Sequence, residues 1–197
     1  MINNNMNIFL IFFSAFLVNN IILIRFLALC SFFGISDRIS SSVGMGLAVM
    51  FVMTISTAVS WCVYHFLLKP LNLEFLRTAS FILTIASLVQ LEEMFMKKRL
   101  PFLYRALGIY LPLITTNCAI LAVAFLSVDY QLNFIKSIFY SLGVSSGYAF
   151  TIVLFASLRE RIIFAPVPKS FKGYPIAFIL ASLMSLAYLG FKGLFGL

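Results

Sequence analysis

Ile8-Phe9-Leu10-Ile11-Phe12-Phe13-Ser14-Ala15-Phe16-Leu17-Val18-Asn19-Asn20-Ile21-Ile22-Leu23-Ile24-Arg25-Phe26-Leu27-Ala28-Leu29-Cys30-Ser31-Phe32-Phe33-Gly34-Ile35 is an apolar run with a single charge, Arg25. A straight helix over residues 8–35 would measure about 42 Å, whereas the hydrocarbon core of a bilayer is about 30 Å thick. The run overshoots one crossing, and Asn19-Asn20 and Arg25 interrupt it. Tilt absorbs part of such an excess. A broken or re-entrant helix fits better, because asparagine side chains supply partners for the backbone groups that a break leaves open.

Five more apolar runs follow, at about 43–67, 76–94, 106–127, 138–157 and 175–192. Because every backbone polar group in lipid needs an internal partner, they predict an all-α integral membrane protein of six transmembrane helices. The fourth run repeats the interruption with Pro112 and Thr115-Thr116-Asn117. The connections hold Asp37-Arg38, Lys69-Pro70, Lys97-Lys98-Arg99-Leu100-Pro101, Asp129 and the Arg159–Gly173 segment. Of 197 residues, 62% are hydrophobic and 10% charged, too few charges to build a water-facing surface. A soluble domain carries roughly 25% charged residues. Disorder and a disulfide-stapled secreted domain are excluded on the same ground. The net charge of +8 is spread over short loops between apolar runs, so no nucleic-acid partner is expected and membrane lipid is. No basic stretch precedes the first run, which argues against a cleaved signal peptide. Residues 1–197 are expected to form one transmembrane domain.

Six spans put both termini on one side. Loops one, three and five hold Arg38, Lys97, Lys98, Arg99, Arg105, Arg159, Arg161, Lys169 and Lys172. The termini's side holds Lys69, Arg77, Lys136 and Lys192, and Arg25 lies inside the first span. The excess of cations predicts cytoplasmic odd loops and extracytoplasmic termini.

Placing Cys30 over Cys118 aligns the two halves of the chain, about 1–97 and 98–197. Leu29-Cys30-Ser31-Phe32-Phe33-Gly34-Ile35 then lies over Asn117-Cys118-Ala119-Ile120-Leu121-Ala122-Val123. Each half continues into a span that opens with small residues, Ser41-Ser42-Val43-Gly44-Met45-Gly46 and Gly143-Val144-Ser145-Ser146-Gly147. The second of these has the G-x-x-x-G spacing of close helix approach. Three spans per half make the second half inverted relative to the first. Inverted repeats with discontinuous helices place their site near the midplane, at the repeat interface. Cys118 lies about 15 Å from the cytoplasmic start of its span, near the membrane centre, and pseudo-symmetry puts Cys30 there too.

Other residues have plainer readings. A cysteine in an apolar helix usually acts as a small hydrophobe. Cys62, in an uninterrupted span with no counterpart in the other half, keeps that reading. Trp61 and His65 read as interfacial anchors. Asn19, Asn20 and Asn117 can serve to bond exposed backbone. Arg25 either snorkels or pairs with a partner's carboxylate. Glu92 and Glu93 sit near Lys97-Lys98-Arg99 and read as a solvated ion-pair network rather than an ion site. One histidine and three well-separated cysteines argue against a zinc site, and no Walker or dinucleotide-binding sequence occurs.

Val18-Asn19-Asn20-Ile21-Ile22-Leu23-Ile24-Arg25-Phe26-Leu27-Ala28-Leu29-Cys30 and Leu107-Gly108-Ile109-Tyr110-Leu111-Pro112-Leu113-Ile114-Thr115-Thr116-Asn117-Cys118 resemble a known family. It comprises the A and E subunits of the Rnf complex and the D and E subunits of the sodium-translocating NADH:quinone reductase. The resemblance runs nearly end to end. Pro70-Leu71-Asn72-Leu73-Glu74-Phe75-Leu76-Arg77-Thr78 and Leu183-Met184-Ser185-Leu186-Ala187 are most similar to the Rnf A branch. In one departure, the first motif commonly reads Leu-Gly-Leu-Cys-Pro, whereas Ala28 and Ser31 flank Leu29-Cys30 here.

The resemblance implies a heterodimer with a homologous, oppositely oriented six-helix subunit of the Rnf E type. It also implies a [2Fe–2S] cluster between the two, each chain giving one cysteine from each broken helix. Cys30 and Cys118 match those positions, and Cys62 matches none. Such a cluster takes four thiolates, so a second chain must supply two. Implied with it are the complex's iron–sulfur and flavin subunits as further partners, and the bacterial cytoplasmic (inner) membrane as location. The implied function is membrane electron transfer within an ion-translocating ferredoxin:NAD⁺ oxidoreductase, with no catalytic residue in this chain. Membership of the sodium-translocating NADH:quinone reductase is an alternative. An inverted-repeat secondary transporter is the competing class, since broken helices suit alternating access equally well.

Overall fold

The first apolar run is two helical pieces separated by an irregular stretch. In the computed structural model, which describes residues 7–18, 20–36, 38–70, 74–99, 114, 116–162, 164, 166, 168 and 171–192, every regular element is helical. Helix α1 (Ile8–Phe13) widens into a π-helical turn, Ser14–Val18, and the chain resumes as α2 (Leu29–Ile35). Helix α3 (Ile39–Val63) also ends in a π-helical turn, Tyr64–Leu68. After a short 3₁₀ turn, Glu74–Leu76, come α4 (Arg77–Arg99), α5 (Cys118–Asp129), α6 (Phe134–Ile162) and α7 (Tyr174–Lys192).

Among the described residues, three stretches are long and apolar enough to cross a membrane, Ile39–Leu68, Arg77–Phe95 and Phe134–Ile162. Ile8–Leu17, Cys118–Asp129 and Tyr174–Gly190 are shorter apolar helices. The predicted break in the fourth run at Pro112 and Thr115 lies outside the described residues; the described part of that run is Ile114 and the chain from Thr116 onward.

Helices α3 and α6 form the centre and run antiparallel. Gly46 lies against Ala149, and the Trp61 and Phe134 rings meet at 5.3 Å. Tyr140, Val144, Tyr148, Ile152 and Phe155 recur every three or four residues, so they share one helical face and are buried together. Helix α1 runs parallel to α6 along the Gly143 and Gly147 seam. A Cβ on Gly143 would sit 2.8 Å from the Phe12 carbonyl oxygen, and one on Gly147 2.8 Å from that of Phe16. Only glycine permits this backbone approach, which is what the small-residue spacing predicts.

Helix α2 keeps the direction of α1. The Phe32 ring lies over Phe155 at 4.2 Å, and Arg159 donates to the Phe33 carbonyl and the Ser36 hydroxyl, both at 2.9 Å. Between the Phe12 and Ser36 contacts, α6 advances from Gly143 to Arg159, about 24 Å. A straight helix over residues 12–36 would need about 36 Å. The first run is therefore a broken helix that continues onward, and the re-entrant alternative is set aside. The π turn and the irregular stretch take up the excess length.

Candidate functional site

The polar groups released by the break find partners on three sides. Asn20 is 1% exposed; its amide donates to the Thr151 hydroxyl at 2.6 Å and the Gly147 carbonyl at 3.3 Å, and its oxygen accepts the Ile22 N–H at 3.1 Å. Ser185 on α7 donates to the Leu23 carbonyl at 2.7 Å. Arg25 is exposed and reaches the Tyr130 hydroxyl at 3.2 Å. Unpaired backbone polar groups in hydrocarbon are costly, so these contacts hold the irregular stretch in one shape. Asn19 lies outside the described residues.

Both cysteines stand at helix starts. Cys30 is the second residue of α2 and Cys118 the first of α5. Asn117 caps α5, its side-chain oxygen accepting the Ala119 N–H at 3.0 Å, a contact like that between Asn20 and Ile22. The Ala28 N–H donates to the Cys118 sulfur at 2.8 Å. Ala28 lies two residues before Cys30, so this bond sets the start of α5 against the start of α2 across ninety residues of chain. Both cysteines are exposed on the chain's surface. Behind them the buried Tyr148 hydroxyl pairs with Ser31 at 2.9 Å, and Ser31 donates to the Ala28 carbonyl at 3.0 Å. The Cys118 side opens into a cavity of about 600 Å³ lined by Thr116, Asn117, Gln90 and Glu93.

A cysteine at each of two helix N-termini, which favour negative charge, and an amide donated to one of the sulfurs suit an anionic thiolate-bound group. Among the described residues no three of His, Cys, Asp and Glu come together. Cys62 stays apart on α3 and half-buried, among its packing neighbours. The Glu92 reading needs correction. Glu92 is 8% exposed and neither carboxylate oxygen meets a hydrogen-bond partner. It follows Phe81, Ile85 and Val89 at helical spacing, so α4 turns it inward with its buried face rather than toward Lys97-Lys98-Arg99. Trp61 and His65 stack at 4.9 Å, and the indole N–H donates to the Leu132 carbonyl at 2.9 Å.

Residues that the sequence reading did not single out support these elements. Thr151 falls one turn beyond Gly147 on the same face, a spacing that marks it. Tyr148 belongs to the apolar-periodic face of α6, and nothing local marks its hydroxyl. Arg77 binds Asp129 at 2.6 Å and the Phe125 carbonyl at 3.3 Å, closing the C-terminal end of α5. Arg159 does the same for α2, and in both cases a cation meets the negative end of a helix dipole.

A family described as Rnf-Nqr subunit, membrane protein, matches residues 8–195. The A subunit of the ion-translocating oxidoreductase complex of Vibrio parahaemolyticus is 53% identical, covering 90% of this chain and 93% of its own length. The protein of the same name in Aeromonas salmonicida is 52% identical, with 92% and 94% covered. The A subunit of the Na⁺-translocating ferredoxin:NAD⁺ oxidoreductase complex of Acetobacterium woodii is 50% identical, with 96% and 98% covered. Identity at this level over nearly the whole length, joined to apolar helices of membrane length, means that the chain belongs to the Rnf-Nqr family of membrane-protein subunits.

Proposed function

We propose that this chain is an electron-transfer subunit of an ion-translocating ferredoxin:NAD⁺ oxidoreductase complex, and that Cys30 and Cys118 hold half of a [2Fe–2S] cluster. The observation that carries the reading is the Ala28 N–H to Cys118 sulfur bond, which sets the exposed Cys118 against the segment that enters α2 two residues before the exposed Cys30. Four thiolates are required, so a homologous subunit of opposite orientation, the Rnf E type, supplies the other two. A cluster bound there supplies one-electron transfer inside the membrane. The chain's own residues shape the place. Ala28 donates its amide to sulfur, Asn117 starts α5 at the cysteine, and the Ser31–Tyr148 pair fixes the start of α2. Iron–sulfur and flavin subunits of the same complex are the further partners.

The same reading has six spans in one domain, with halves of about 1–97 and 98–197 as inverted repeats in the bacterial cytoplasmic membrane. The antiparallel α3–α6 pair supports it, as do helix starts at Cys30 and Cys118.

The test is iron and acid-labile sulfide in the purified pair of co-expressed subunits, with the reduced-state EPR signal. Cys30→Ala and Cys118→Ala should each abolish iron, sulfide and signal while gel filtration shows the pair intact. Cys62→Ala should keep all three. Loss in Cys62→Ala with retention in Cys30→Ala would overturn the reading.

A further inference from the structure

At the end of the bundle away from Arg159, α3 finishes, α4 begins and α5 turns into α6. A cavity of about 590 Å³ lies there, lined by Trp61, His65, Lys69, Arg77, Gln131 and Asn133, with Asp129 the one carboxylate among its described lining residues. Arg77 engages that carboxylate at 2.6 Å and is held over the Phe125 ring at 4.8 Å. Lys69 is exposed and forms no ion pair among the described residues. The cavity therefore keeps an uncompensated cation, an imidazole and two side-chain amides facing one space, a donor set suited to a phosphate. Exposed apolar side chains neighbour these groups in the chain. Phe66 and Leu67 are 74% and 57% exposed shortly before Lys69, and Phe75 is 97% exposed two residues before Arg77. Cations and a Trp–His stack interleaved with exposed apolar side chains fit the level where headgroup meets acyl chain.

We propose that this cavity binds the phosphate of an anionic phospholipid, with Lys69 as its principal charge contact, His65 beside it, and Phe66, Leu67 and Phe75 against the acyl chains. The shared chemistry is a phosphate anion, and the exposed Phe66, Leu67 and Phe75 near Lys69 and Arg77 in the chain assign it to a lipid rather than to free phosphate. This site is separate from the two cysteines and does not depend on the proposed cluster. The bound lipid would fill the wedge between the ends of α3 and α5 and hold the start of α4 against them.

The test uses the chain in its purified complex, reconstituted with photoactivatable phosphatidylglycerol or photoactivatable phosphatidylcholine, and maps the cross-linked peptide by mass spectrometry. Phosphatidylglycerol should label the Trp61–Arg77 segment well above phosphatidylcholine. Lys69→Gln should lower that labelling about fivefold, the effect of one cation at an anionic headgroup. Lys69→Arg should retain it, and gel filtration should show both variants assembled. Equal labelling by the two lipids would overturn the proposal, as would full labelling in Lys69→Gln. Displacement of the lipid by inorganic phosphate at millimolar concentration would overturn the lipid assignment and leave a soluble anion as the ligand.

Discussion

Ala28 is the residue on which the break turns. Its backbone is left-handed, at φ 64° and ψ 27°, directly before α2, and its amide holds the Cys118 sulfur. A side chain in that region costs about 1–2 kcal/mol through its Cβ. The related motif carries glycine here, and the structure supplies the reason. The cost is tolerated because Ser31, where the motif has proline, bonds the Ala28 carbonyl and is held by Tyr148. Ala28→Gly should raise stability by about 0.5–1 kcal/mol, the relieved strain less glycine's larger unfolded-state entropy. Ala28→Val should lower it, since a β-branched side chain fits that conformation worse. Thermal unfolding of the purified protein in detergent measures both. A lower midpoint for Ala28→Gly would show that the left-handed turn is not under strain. In the sequence, Cys30 and Cys118 are marked out together by their repeat positions. The amide that meets Cys118 is not, because a backbone donor carries no residue-type signal.

Among the elements, the α1–α6 seam has the least freedom. At Gly147 the obstacle to a Cβ is the Phe16 carbonyl, a backbone atom that cannot rotate aside. Gly147→Ala should therefore cost about 1–3 kcal/mol, typical of overpacking, and should loosen the Asn20 contacts made at the same turn. Gly190→Ala, on α7 with nothing within 4 Å of its Cβ, is the control. It should be neutral or stabilising by up to about 1 kcal/mol through helix propensity. Equal midpoints for the two variants would remove the case for close packing. The G-x-x-x-G spacing announced this approach, but not its partner, since any helix can enter a small-residue groove. Glu92 teaches the converse. Its proximity in sequence to lysines suggested a wet ion pair, whereas its register with Phe81, Ile85 and Val89 decided its burial.

For the whole molecule, nine cations in the odd loops against four on the termini's side predict which way the bundle faces. With the native cysteines retained, Lys172→Cys should resist a membrane-impermeant thiol reagent added to intact cells, and Leu197→Cys should react. Permeabilisation should expose Lys172→Cys. The reverse pattern would place the termini in the cytoplasm. In the expected orientation the phospholipid cavity, with Lys69 and Arg77, faces the outer surface.

Composition and local pattern settled the environment and the places of interruption. Long apolar runs with most charges at their ends point to a helical membrane fold, because in lipid a helix satisfies its backbone groups within the run. Asparagines and an arginine within an overlong run mark where its helix gives way. How the break is closed was left to the packing of distant segments. That packing made the first run a broken helix rather than a re-entrant loop, since α6 offers Gly147, Thr151, Phe155 and Arg159 in succession. It also brought Cys118 to the Ala28 amide and turned Glu92 inward. Those outcomes depend on which helix faces meet, and contacts between segments far apart in the chain set that, not any local pattern.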